Sequence, residues 1–175
     1  MEKQYSTETI YDGKIVHLVK DKVLIDDKNA ATREVVKHIG GACIALKDKD
    51  GKFFLVKQYR YAQGRDMLEF CAGKLEKGEF HRETIIREAR EELGYTIKNL
   101  QYLGEIIPTC AYSTEHIHMY YAEADTFVGY DFDEDERIET VKMSYEEILE
   151  LIKANKITDA KTICTMYKIK LFGLV

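Results

Sequence analysis

Between Gly73 and Tyr95 the chain reads Gly-Lys-Leu-Glu-Lys-Gly-Glu-Phe-His-Arg-Glu-Thr-Ile-Ile-Arg-Glu-Ala-Arg-Glu-Glu-Leu-Gly-Tyr, and this stretch constrains the fold more than any other. Ile85, Ala89 and Leu93 recur every fourth residue, which predicts a helix with one face turned to a core. Glu88, Glu91 and Glu92 fall three and four residues apart on another face, so three carboxylates share one patch. Gly94 can end the helix in the left-handed conformation, and Gly73 lets the incoming backbone turn so that nearby carbonyls approach the patch.

Such a patch is unfavourable until something positive binds it. Ionised carboxylates at helical spacing repel by a few tenths of a kcal/mol per pair on an exposed helix, and by more when partly buried. A hard divalent cation with oxygen ligands relieves that repulsion. Magnesium suits such donors, with manganese as the second choice, whereas zinc calls for Cys or His ligands that the segment lacks.

The rest of the chain supplies a sheet and two more helices. Lys14 to Ile25 alternates as a strand, Asp26 to Asn29 reads as a turn, and a second strand runs through Arg33 to His38. Gly40-Gly41 leads into Ala42 to Leu46, a turn over residues 47–52, and Phe53 to Tyr59, together a buried hairpin. Ile97 to Ile107 and His116 to Ala124 read as strands. Tyr145 to Ala154 and Asp159 to Phe172 read as helices, the first opened by a Ser144/Glu147 capping box. The acidic run from Asp131 to Glu136 is a loop. The expected class is α/β: a mixed sheet with flanking helices.

At 175 residues and 45% hydrophobic content the chain can bury one sizeable core. A formal charge of −5 disfavours nonspecific nucleic-acid binding. Cys43, Cys71, Cys110 and Cys164 are irregularly spaced with no Cys-x-x-Cys, and no secretory leader opens the chain, so reduced thiols in the cytoplasm are expected. No apolar run approaches the roughly 18 residues needed to cross a bilayer, which argues against membrane insertion.

Written as Gly-x5-Glu-x7-Arg-Glu-U-x-Glu-Glu-x-Gly-U, with U a bulky aliphatic residue, the segment resembles the Nudix box at every fixed position. Ala89 and Tyr95 are mild departures at the two U positions. Similarity extends outward through Val56-Lys57-Gln58-Tyr59-Arg60, Leu68-Glu69-Phe70-Cys71-Ala72-Gly73, Thr32-Arg33-Glu34-Val35-Val36 and Ile157 to Thr162, and is that of ADP-ribose pyrophosphatase-like Nudix hydrolases. The resemblance implies a helix–sheet–helix sandwich over residues 41–175. It also implies an N-terminal β segment, residues 1–40, that crosses to a partner in a homodimer.

Residue roles follow from the same resemblance. Glu88 and Glu92 would hold metal with the carbonyl of Ala72, and Glu91 would be a further ligand or orient water. Arg87 would pair with Glu79, with Gly73 and Gly94 as structural glycines. Arg60 is the candidate phosphate clamp, since its donor fork matches phosphate oxygens. Arg33, Glu69 and Glu115 are candidate substrate contacts. Glu136 aligns best as the general base, with Glu91 as a second catalytic candidate and Glu139 as an auxiliary metal or structural acid.

The implied reaction is metal-dependent hydrolysis of ADP-ribose to AMP and ribose 5-phosphate. Where the family commonly carries Ser-Pro-Gly, this chain has Thr109-Cys110-Ala111, and Cys71 replaces a proline. Those changes leave open another nucleoside diphosphate sugar as substrate. A noncatalytic nucleotide-sugar sensor is the reading from a different class; it could dispense with Glu88 or Glu92, and this chain retains both. Tyr5, Tyr11 and Tyr112 are candidates to stack on a base. His81, His116 and His118 read as structural histidines rather than metal ligands.

Overall fold

The computed structural model describes residues 1–132 and 137–175. They form two compact units, one of residues 1–40 with 107–116, the other of residues 41–106 with 117–175. The segment 107–116 joins residues 1–40 in the first unit. It does so through Val36, whose N–H donates to the Tyr112 carbonyl at 2.7 Å and whose carbonyl accepts from the Thr114 N–H at 3.0 Å.

The first unit is an antiparallel sheet of β1 (Glu2–Asp12), β2 (His17–Ile25) and β3 (Asn29–Lys37), in that order. Asp26 and Asp27 both adopt positive φ in the β2–β3 turn, a conformation that Asp tolerates because its short side chain bonds locally. Every residue of β1 is exposed, Tyr5, Ile10 and Tyr11 among them.

The second unit is built on a mixed sheet. Its strands are β4 (Gly41–Lys47), β5 (Phe53–Arg60), β6 (Arg65–Glu69), β7 (Ala72–Lys74), β8 (Tyr95–Ile106), β9 (Ile117–Phe127) and β10 (Ile138–Met143). The order is β10-β5-β4-β9-β8, with β6 on β5 and β7 on β4, and β4 runs parallel to β9. The helices are α1 (His81–Glu91), α2 (Tyr145–Lys153) and α3 (Ala160–Leu171).

Strand β4 shows why the layers form. Ala42, Ile44 and Leu46 point to one side and pack with Ile85, Ala89 and Leu93 of the α1 segment. Cys43 and Ala45 point to the other and pack with Ile148 of α2 and Met166 and Ile169 of α3. A strand buried on both faces reads as a continuous apolar run, as β4 does. The expected helix–sheet–helix sandwich is therefore the fold, and the fourfold spacing of Ile85, Ala89 and Leu93 puts α1 on its own side of it. Ser144 caps α2 by accepting the Glu147 N–H at 3.1 Å, and Asp159 caps α3 by accepting the Thr162 N–H at 2.9 Å.

The expected buried hairpin of β4 and β5 is paired only where it turns, at Lys47 and Phe53. Beyond that point the strands part and the chain from Glu69 to Lys74 enters the gap. Glu69 pairs opposite Val56 of β5, Ala72 opposite Cys43 of β4, and the Ile44 N–H donates to the Cys71 carbonyl at 3.0 Å. Glu139, the candidate auxiliary acid, lies on β10 opposite Lys57.

Candidate active site

The second unit places the chain leading into α1, the helix itself and the ends of β5 and β6 around one cluster of charge. Gly73 lies on β7, and a methyl group there would overlap the Glu88 carboxylate. The expectation that Gly73 eases a turn is thus corrected. Its backbone is strand-like, and the missing side chain is what lets Glu88 lie flat against it. Gly94 does take positive φ, 76°, as its N–H closes onto the Arg90 carbonyl at 3.0 Å.

Arg87 is the hub of the acidic cluster. Its Nε and Nη2 donate to Glu79 at 3.2 and 3.3 Å, and its Nη1 donates to Glu88 at 2.9 Å and Glu91 at 2.8 Å. Glu79 also accepts from the Thr84 hydroxyl at 2.7 Å and the Glu76 N–H at 3.0 Å. Burial alone would weaken the Arg87 charge, but the surrounding carboxylates hold its pKa above the ordinary arginine value. The Arg87 hydrogen bonds draw the Glu79 pKa from 4.5 down to about 2.

A carboxylate held below its unfolded value favours the native state fully above that value, and this contribution disappears as pH falls through the folded one. The stability difference between the wild type and Glu79→Gln is therefore expected to be largest above pH 4.5 and to shrink towards pH 2. Urea unfolding of both proteins across that range measures it. A constant difference would count against the Arg87–Glu79 linkage.

Glu92, the next residue along, is more deeply buried than Glu91. It is only 6% exposed, and its carboxylate acts with burial to push the Cys71 thiol well above the usual range. Its charge also reaches Arg60, where the largest influence is Glu69. Arg60 Nε and Nη2 form a two-pronged pair with Glu69 at 2.9 and 3.0 Å. Glu69 is buried and also accepts from Lys161 of α3, so its oxygens are engaged by protein.

The other sequence candidates have contacts of their own. Glu139 is exposed on β10 and meets Lys57 at 3.5 Å. In the first unit Arg33 pairs with Glu2, and Glu115 lies 3.7 Å from His38. Asp133 to Glu136, including the base candidate Glu136, fall outside the described residues. Lys161 was missed because a lysine in a helical run reads as solvated surface. His81 stacks on His118 with ring centroids 3.9 Å apart and bonds to the Tyr120 hydroxyl.

Among the described residues, no three His, Cys, Asp or Glu side chains are drawn together as a ready metal cage. Arg87 lies among the carboxylates instead. The donors nevertheless fit a hard divalent cation in kind. Every one is an oxygen, Glu79, Glu88 and Glu91 outnumber the one guanidinium they share, and Gly73 keeps Glu88 against the strand that carries the Ala72 carbonyl.

Residues 37–166 match the NUDIX domain family. The chain belongs to the Nudix family. It is 35% identical to an ADP-ribose pyrophosphatase of Bacillus subtilis (strain 168), over 92% of this chain and 88% of that one. It is 33% identical to a methanol dehydrogenase activator of Bacillus methanolicus, over 97% and 93%. It is 36% identical to a GDP-mannose pyrophosphatase of Yersinia enterocolitica, over 87% and 86%. A crystal structure of an ADP compounds hydrolase superposes with a TM-score of 0.85 at 16% identity, covering 98% of this chain and 93% of that one, which shows the shared fold. Nudix hydrolases depend on a divalent metal, in keeping with the acidic cluster. Among the described residues, no helix is long and apolar enough to cross a membrane.

Proposed function

We propose that this Nudix protein hydrolyses the pyrophosphate linkage of ADP-ribose, releasing AMP and ribose 5-phosphate. The observation that carries the reading is the packing of Glu88 against Gly73 beside a buried Glu92, at the helix whose Arg87 gathers Glu79, Glu88 and Glu91. We assign Glu88, Glu92 and the Ala72 carbonyl as holders of Mg2+, with Mn2+ as the alternative ion. The bound cation would neutralise diphosphate oxygens and make a coordinated water more acidic.

The chain's own groups do the remaining work in this reading. Arg60 binds a phosphate oxygen through donors that Glu69 leaves unused. Arg87 limits the repulsion among its carboxylates and keeps Glu88 and Glu91 in place. Glu136 takes the proton from the attacking water, while Glu91 orients that water. Water adds to one phosphorus, the bridging oxygen leaves with the other, and two phosphate monoesters result.

A second reading is favoured by the GDP-mannose pyrophosphatase relative together with the replacement of Ser-Pro-Gly by Thr109-Cys110-Ala111. In it the substrate is another nucleoside diphosphate sugar. Incubation with Mg2+ and a panel of nucleoside diphosphate derivatives, with products identified by mass, separates the two. AMP with ribose 5-phosphate from ADP-ribose supports the first, preferential cleavage of a hexose derivative supports the second, and absence of turnover refutes both.

The four cysteines are free thiols, which suits a cytoplasmic setting. We further propose a homodimer in which the β1–β3 sheet meets a second copy. The exposed Tyr5, Ile10 and Tyr11 of β1 support it, and sedimentation at a single-chain mass would rule it out.

A further inference from the structure

The first turn of α3 grips the chain just ahead of the box at two levels. The Phe70 N–H donates to the Thr162 hydroxyl at 2.8 Å, and that hydroxyl donates to Asp159 at 2.6 Å. Alongside, the Lys161 ammonium bonds to the Glu69 carboxylate and lies 2.9 Å from Asp159. Glu69 in turn accepts from Arg60 Nε at 2.9 Å and Nη2 at 3.0 Å. A continuous row of charges thus runs from α3 through Glu69 to Arg60.

Stability alone does not account for a lysine in this row. Lys161 is 9% exposed, and taking an ammonium out of water costs enough that a packed apolar residue often serves the fold as well. It also sits in the first turn of a helix, where the backbone dipole disfavours positive charge. Burial pulls the ammonium towards neutrality, yet Asp159 and Glu69 hold its pKa above the ordinary lysine value, so it stays charged. The charge is kept where both the solvent and the helix oppose it.

The far end of the row shows what that charge acts on. The Arg60 side chain is 40% exposed. Two of its donor nitrogens are committed to Glu69, and Nη1 meets no acceptor among the described residues. Glu69 Oε2 is shared between Arg60 Nη2 and Lys161 Nζ. The shared oxygen fixes the plane of the guanidinium while drawing part of the carboxylate charge away from it. Arg60 is therefore oriented without being fully neutralised.

We propose that Lys161 is a positioning residue for substrate binding: acting through Glu69, it aims the Arg60 guanidinium and preserves its charge for a phosphate oxygen of the nucleoside diphosphate. The proposal rests on the reading of this site as a diphosphate hydrolase. Removing Lys161 lets Glu69 close on Arg60 alone, which turns the fork and quenches its charge, and the loss falls on affinity rather than on the chemical step.

The test compares Lys161→Met and Lys161→Arg with the wild type in two measurements. With ADP-ribose and Mg2+, Lys161→Met raises KM about tenfold and changes kcat by less than about twofold, and Lys161→Arg restores most of the affinity, the pattern of a lost binding contribution. With no substrate present, 15N-arginine spectra, assigned with Arg60→Lys, show slower solvent exchange of the Arg60 Nε–H in Lys161→Met, as Glu69 closes on it. Lys161→Gln, which keeps a donor to Glu69, replaces Lys161→Met in both measurements if the latter does not fold. An unchanged KM, or an unchanged Arg60 exchange rate, overturns the proposal. A wild type that cleaves no nucleoside diphosphate derivative refutes the hydrolase reading instead, and the exchange measurement then decides by itself whether Lys161 holds Arg60.

Discussion

Replacing Glu92 with Gln is expected to lower Mg2+-dependent turnover of ADP-ribose by about 100-fold or more, the loss that even indirect disturbance of a metal site can reach. The substitution keeps the shape of the side chain and removes its charge. Glu92 is buried at the end of α1, while Ile85, Ala89 and Leu93, which anchor that helix, are untouched. Glutamine fills the same space, so the protein should still unfold cooperatively as a folded domain. Steady-state kinetics and a thermal melt on the same preparation check both parts. Turnover close to that of the wild type would eliminate Glu92 as an essential group.

Gly73→Ala should be nearly as damaging, through geometry rather than charge. An added methyl collides with the Glu88 carboxylate, and a reacting-centre displacement of about 1 Å can cost on the order of 100-fold in rate. Gly73 is in strand β7 and is not among the positive-φ glycines, so its backbone accepts alanine. The loss should therefore travel only through Glu88. In a Glu88→Gln background, where the carboxylate is already gone, adding Gly73→Ala should cost little more, which a double-mutant cycle reads directly. Full additivity would mean that the glycine serves something else.

Much of this architecture was legible because it is local. The fourfold spacing of Ile85, Ala89 and Leu93 defines α1 and its buried face, and Ser144 and Asp159 mark the starts of α2 and α3 with side chains that bond three residues ahead. What escaped is nonlocal. No pattern within residues 42–59 reveals that β4 and β5 part to admit Glu69 to Lys74, because the strands that replace the hairpin pairing come from elsewhere in the chain. Strand β10 was hidden by the acidic run before it.

The same distinction divides the site. Arg87 and Glu79 are spaced within one motif, whereas Lys161 and Glu69 meet from positions 92 residues apart. A lysine's burial is decided by what packs over it, so its meeting with a carboxylate had no signature in the surrounding sequence. Gly73 was recognised from its place in the motif, but its physical reason was not. Only the direction taken by the Glu88 side chain shows that space, rather than flexibility, is required.

The parallel pairing of β4 with β9 joins Gly41 to Ile117 and continues to Lys47 and Glu123. During synthesis the box helix emerges from the ribosome well before β9, yet the strand it rests on has no complete neighbour until β9 has been made. Distant pairings of this kind form slowly, since a long loop must close before any contact rewards it. The emerging chain therefore carries its acidic helix as a loosely held segment, and competence to bind a diphosphate arrives late, together with the sheet.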